Sequence, residues 1–151
     1  MTTKKMKKKR SSNTDIRIQD VQEILFDAAK NVMRQAYAPY SKFRVGAALI
    51  DETGTIHVGT NVENASYGGT ICAERAAICS MIAGGGRKLR AIAIVTEKGT
   101  PPCGLCRQIL SEFAGPEVPV IIAGKKGVLD LYSVGELLPE SFGPKNLLKH
   151  S

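Results

Sequence analysis

The chain has 151 residues, an apolar fraction of 43% and a formal net charge of +7. That length suits one domain, and apolar runs this short exclude a helical membrane span. Lys4, Lys5, Lys7, Lys8, Lys9 and Arg10 hold most of the excess charge, so the remaining chain is close to neutral, which argues against a basic nucleic-acid-binding body.

Residues 1–15, rich in Lys, Ser, Asn and Thr, carry no core-forming pattern and read as a disordered basic tail ahead of a domain over 16–151. The tail lacks the apolar stretch of a secretory signal, so a soluble cytoplasmic protein is expected, with a nuclear address as the alternative. Asp20 followed by Glu23 resembles a capping box. Behind it Val21, Ile24, Leu25, Ala28, Ala29, Val32, Met33 and Ala36 share one helical face that Pro39 ends. Val45–Ile50 and Thr55–Val62 read as strands joined by a turn over Asp51–Gly54, an antiparallel hairpin. Thr70 can cap a helix over 71–83, stopped by Gly84, Gly85 and Gly86. Ala91–Val95 is a continuous apolar run, as a buried central strand requires. Pro102 is placed to begin a further helix with Leu105, Ile109 and Phe113 as its buried stripe, ended by Gly115 and Pro116. Val120–Ala123 and Val128–Tyr132 form a tight hairpin, and a short helix starts near Ser133. This order predicts an α/β fold: a three-layer α/β/α sandwich around a mixed five-stranded sheet.

The chemistry-bearing residues cluster at the starts of two predicted helices. Cys72 follows Thr70, and Cys103 and Cys106 follow Pro102 one turn apart. A helix N-terminus favours negative charge, so each thiol can become the thiolate that binds metal. Two crossovers through Ala91–Val95 would bring those helix starts to one edge of the sheet. Cys79, two turns beyond Cys72 and roughly 10 Å away, cannot share an ion with it and reads as a buried small apolar residue. His57 and His150 lack ligand spacing and read as ordinary solvent-facing or half-buried side chains. Three sulfurs and an open fourth position describe a catalytic zinc site, whereas structural zinc is usually closed by four protein ligands. A thioredoxin-like reading of Cys103-x-x-Cys106 would leave Cys72 and Glu74 unused. Glu74, two residues after Cys72, projects near the ion without ligating it and can move protons.

Cys72-Ala73-Glu74 and Pro102-Cys103-Gly104-Leu105-Cys106 resemble the paired elements of zinc nucleobase deaminases. The likeness is to the small three-cysteine cytidine deaminases and runs from about Asp20 to the C-terminus. It includes Ala38-Pro39-Tyr40-Ser41-Lys42-Phe43, Asn61-Val62-Glu63-Asn64, Cys106-Arg107-Gln108 and Ser141-Phe142-Gly143-Pro144. The resemblance implies one Zn²⁺ per chain and deamination of cytidine and 2′-deoxycytidine in pyrimidine salvage. It implies that Asn61 and Glu63 bind the ribose 3′-hydroxyl, that Phe43 packs against the pyrimidine, and that the Ala73 backbone meets the base edge. Tyr67 and Phe142 match aromatics that complete neighbouring subunits' pockets in a homotetramer. Arg75 matches an arginine that hydrogen-bonds the ligand sulfurs, withdrawing charge from a centre that three thiolates make anionic.

The expected chemistry has Glu74 take a proton from water, deliver it to N3 of the base and then protonate the leaving amine. Three rivals are weighed. A deaminase of DNA or RNA conflicts with Asn61 and Glu63, which leave no room for a continuing phosphate and repel one. A nucleoside-antibiotic deaminase of the blasticidin type lacks the Asn-x-Glu-Asn element. A non-catalytic zinc domain would leave Glu74 incidental. A nucleoside substrate and no membrane or nucleic-acid partner are therefore expected.

Overall fold

The fold was obtained as a computed structural model that describes residues 17–148. The basic tail and His150 lie outside the described residues. Ten helices and strands follow in chain order: α1 (Ile18–Val32), β1 (Gly46–Asp51), β2 (Ile56–Thr60), α2 (Ala73–Ala83), β3 (Leu89–Val95), α3 (Gly104–Phe113), β4 (Pro119–Gly124), β5 (Gly127–Ser133), α4 (Val134–Leu137) and α5 (Pro144–Leu147).

The strands form one mixed five-stranded sheet, as expected, and their order is β2-β1-β3-β4-β5. β1 pairs antiparallel with β2 and β3, and β4 with β5; β3 and β4 are the parallel pair. Strands alternate their side chains between two faces. One face, with Ala48, Ile50, Ala91, Ala93, Val95, Ile121 and Ala123, packs against Val21, Leu25, Ala29 and Met33 from the α1 side. The opposite face, with Ala47, Leu49, Ile92, Ile94, Val120 and Ile122, packs against Ala73, Ala77, Ile78 and Met81 of α2, Leu110 of α3 and Val134 of α4. These are the three layers, and they set α2 and α3 side by side.

Two glycines allow the layers to close. A Cβ on Gly59 in β2 would stand 2.5 Å from the Ala73 carbonyl oxygen of α2. One on Gly46 in β1 would stand 2.9 Å from the Met33 amide nitrogen. Only the absence of a side chain permits such approaches.

Several boundaries differ from expectation. Helix α1 starts at Ile18 with Arg17 at its N-cap, so Asp20 lies inside the first turn and pairs with Arg17 at 3.4 Å instead of capping. It ends at Val32 and passes into a 3₁₀ turn over Met33–Gln35, ahead of Pro39. The N-cap of α2 is Cys72 rather than Thr70, whose hydroxyl instead accepts from the Asn64 amide at 3.2 Å. Helix α3 starts at Gly104, two residues after Pro102, and Leu105 is exposed; Cys106 and Leu110 face the core in its place. Ser133 does cap α4, in a reciprocal capping box with Glu136. Helix α5 was not anticipated.

Candidate active site

The N-caps of α2 and α3 are Cys72 and Cys103, and Cys106 lies in the first turn of α3. Their three Sγ atoms lie within 4.8 Å of one another, with Cys72 and Cys103 4.0 Å apart. At a zinc–sulfur distance of about 2.3 Å, tetrahedral geometry separates two ligand sulfurs by about 3.8 Å, so this trio fits one Zn²⁺. Among the described residues this is the one cluster of three or more candidate ligands, which leaves a fourth position free of protein.

The electrostatics agree with the ion. The Cys72 thiol is lowered to about 5: its hydrogen bond with Cys106 acts most strongly, burial opposes, and Arg75 and Cys103 assist. The Cys106 thiol is pushed up, first by its bond to Cys72 and then by burial. Three thiolates crowded this closely coexist only around a cation. Arg75 reaches the cluster from the first turn of α2: its Nη2 donates to the Thr70 carbonyl at 2.9 Å and to Cys72 Sγ at 3.7 Å.

Glu74 is 5% exposed. Burial raises its pKa above the ordinary carboxylate range; a backbone hydrogen bond opposes, and the neighbouring Cys72 charge adds to the rise. A carboxyl moved toward neutrality in this way can both take and give a proton.

A cavity of about 410 Å³ opens beside the sulfurs, lined among others by Phe43, Asn61, Glu63, Ala73, Glu74, Cys72 and Cys103. Its volume lies in the range of small-molecule sites. Ser41 organises one wall: its amide and hydroxyl donate to Glu63 at 2.9–3.2 Å, and its Oγ accepts from the Phe43 amide at 3.0 Å. Asn61 staples the same segment: its Oδ1 accepts from the Val45 amide at 2.9 Å and its Nδ2 donates to the Phe43 carbonyl at 2.7 Å. Thr96, Thr100 and Pro101 form the far rim.

The cavity is lined by seven of the eleven sequence candidates; Cys106 and Arg75 belong to the sulfur cluster beside it, and Tyr67 and Phe142 lie outside both. Tyr67 is 79% exposed, edge-on to Tyr40, and Phe142 is 58% exposed near the end of the chain. Neither lines the cavity of its own chain. Cys79 is exposed, not buried: α2 packs with Ala77, Ile78 and Met81 inward, and Cys79 falls on the outer face. His57 is buried rather than half-exposed, its Nε2 2.8 Å from Asp51 Oδ2. The alternation along β2 turns it inward, and the close approach of Gly84 covers its ring. The segment 96–101, short relative to the family pattern and placed by the sequence at the pocket rim, does line the cavity through Thr96, Thr100 and Pro101, whereas Ser41 carries no distinctive spacing. Ser41 is 22 residues from Glu63 in the chain, and only three-dimensional closure brings the two together.

The sequence profile described as "Cytidine and deoxycytidylate deaminase zinc-binding region" matches residues 19–122. A cytidine deaminase of Sporosarcina psychrophila is 43% identical over 130 residues, covering 85% of this chain and 95% of that protein. A cytidine deaminase of Mycobacterium tuberculosis is 44% identical over 114 residues, covering 74% of this chain and 82% of that protein. Among solved structures, the cytidine deaminase of Burkholderia pseudomallei superposes with a TM-score of 0.75 at 45% identity, covering 80% of this chain and 98% of that one.

Proposed function

The chain belongs to the cytidine and deoxycytidylate deaminase family, and from that premise we propose that its cavity hydrolyses cytidine and 2′-deoxycytidine to the uracil nucleosides and ammonia, serving pyrimidine salvage. The observation that carries the reading is the buried Glu74 carboxyl beside a three-sulfur centre, within a nucleoside-sized cavity. Cys72, Cys103 and Cys106 would hold Zn²⁺, which would supply the Lewis acidity that makes water nucleophilic at neutral pH. Glu74 accepts a proton from that water and delivers it to N3 of the base, which sharpens the electrophilicity of C4. Oxygen adds to C4. Glu74 then carries the hydroxyl proton to the amino nitrogen, the C4–N bond breaks, and ammonia departs with C4 left as a carbonyl. Arg75 holds Cys72 and draws charge from its sulfur.

The remaining contacts belong to the same proposal. Glu63 accepts from two Ser41 donors, the amide shared between both its oxygens and the hydroxyl on Oε1, and a carboxylate has about four acceptor sites, so capacity remains for a ribose hydroxyl. Asn61 keeps a second amide hydrogen for the same sugar. Phe43 covers the pyrimidine and the Ala73 backbone meets the base edge. Tyr67 and Phe142, exposed and outside their own cavity, are assigned to neighbouring pockets of a homotetramer. No helix of the described residues is long and apolar enough to cross a membrane. Three ligand thiols require a reducing compartment, and the cytoplasm is the proposed location.

The deciding experiment follows loss of cytosine absorbance together with ammonia release on cytidine, on deoxycytidine and on a short single-stranded oligonucleotide, each with and without a zinc chelator. Turnover of both nucleosides, abolished by chelation and absent on the oligonucleotide, is expected. Turnover of the oligonucleotide alone, or chelator-insensitive activity, refutes the reading.

A further inference from the structure

A second recess, of about 350 Å³, is lined by Met33, Arg34, Lys42, Arg44, Glu97 and Lys125. Four cations from separate parts of the chain meet there against one carboxylate. Arg34 comes from the turn after α1, Lys42 and Arg44 from the segment leading into β1, and Lys125 from the β4–β5 turn. Glu97 pairs with Lys125. Among the described residues, no carboxylate pairs with Arg34, Lys42 or Arg44. Like charges drawn together without counter-charge repel one another, so folding places a net positive recess where scattered surface cations would cost less.

The geometry is also prepared. The Arg44 guanidinium is anchored through Nη1 to the Arg34 carbonyl at 2.8 Å, which fixes its planar donor fork. Lys42 adopts φ +60°, a left-handed conformation that a residue with a Cβ rarely takes. Its amide is tied to the Ala38 carbonyl at 3.1 Å. With this backbone Lys42 lines the basic recess, while its neighbours Ser41 and Phe43 line the substrate cavity. An anchored guanidinium, two further cations and an apolar floor at Met33 form a receptor for tetrahedral oxyanions, and the charge excess suits several linked phosphates rather than one.

We propose that this recess is an anion site that binds an oligophosphate group, carried by inorganic oligophosphate or by a nucleotide, distinct from the deamination cavity and joined to it by the Ser41–Phe43 segment. Glu97 competes with the ligand for Lys125.

The test is calorimetric titration of the full-length, zinc-loaded protein with inorganic tripolyphosphate and, separately, ATP, at physiological salt. The basic tail is present in every variant, so differences between variants report the recess. Arg34→Gln is expected to weaken tripolyphosphate binding about tenfold, in keeping with loss of a charge-assisted hydrogen bond. Glu97→Gln is expected to tighten it severalfold. Arg90→Gln, which removes an exposed cation lining a different recess, is expected to leave it unchanged. Equal affinity for tripolyphosphate and ATP assigns recognition to the phosphates alone, whereas tighter ATP binding assigns it to the phosphates within a nucleotide. Retained cytidine turnover in Arg34→Gln certifies the fold. Binding unaffected by Arg34→Gln, an equal loss in Arg90→Gln, or no binding by the wild-type protein overturns the proposal.

Discussion

The proposed mechanism concentrates the chemistry of the site in Glu74, a single carboxyl that the fold makes hard to ionise. Glu74→Gln retains shape and removes proton transfer; kcat is expected to fall at least about a hundredfold, with zinc content unchanged by metal analysis. Near-normal kcat in that variant would remove the residue from the mechanism. Cys103→Ala should instead lose both bound zinc and activity, because two sulfurs form a much poorer site than three. Spacing alone exposed these residues: Cys72 and Glu74 fall within one helical turn, and Cys103 and Cys106 span another. The surroundings of His57 and Cys79 were not legible, since burial of a lone side chain depends on which helix crosses above it. Ser41 was silent for a related reason: its partner Glu63 is 22 residues away and meets it only after the strands pair.

Helix α2 has Cys72 at its N-cap and Glu74 and Arg75 in its first turn, and β2 sets its depth through Gly59. Gly59→Ala forces the helix off the sheet and is expected to cost about 1–3 kcal/mol by overpacking. Urea denaturation would read that loss, and weakened zinc retention should accompany it because the sulfurs move with the helix. The far end of the same helix is held by a buried pair. Burial alone would raise the Asp51 pKa, but hydrogen bonds from the Thr53 hydroxyl, from His57 and from the Thr55 and Thr53 amides outweigh it and hold the carboxylate well below its ordinary range. A depressed folded pKa contributes stability above the unfolded value of about 4, and that contribution is lost as pH falls through the folded value. Asp51→Asn should therefore cost about 3 kcal/mol at pH 7, a gap that narrows in denaturant titrations below about pH 4. The strands and the three long helices could be read from periodicity. Their ends could not, because α2 and α3 begin on the cysteines themselves, residues that capping preferences do not favour.

Across the whole molecule, the parallel β3–β4 pair is what brings two helix starts to one place. The preceding β1–β2 hairpin supplies the facing wall through residues 41–63. Exposed Tyr67 and Phe142 place the remaining demand on assembly. Sedimentation should give about four times the chain mass of 16.2 kDa, and Phe142→Ala should raise KM more than it lowers kcat if the ring closes a neighbour's cavity. A monomer with full activity would contradict that assignment. The layer order was legible because helices and strands alternate; the mutual aim of loops 41–45 and 96–101 was not, because irregular segments leave no period to read. The Ser41 bracket on Glu63 has an evolutionary corollary. On the proposed reading, sugar selectivity and bond cleavage sit on separate stretches of chain, one loop-borne and one helix-borne. Laboratory selection for altered nucleosides can thus act on positions 41 and 43 of the loop wall, while Cys72, Glu74 and Arg75 keep their places at the start of the helix.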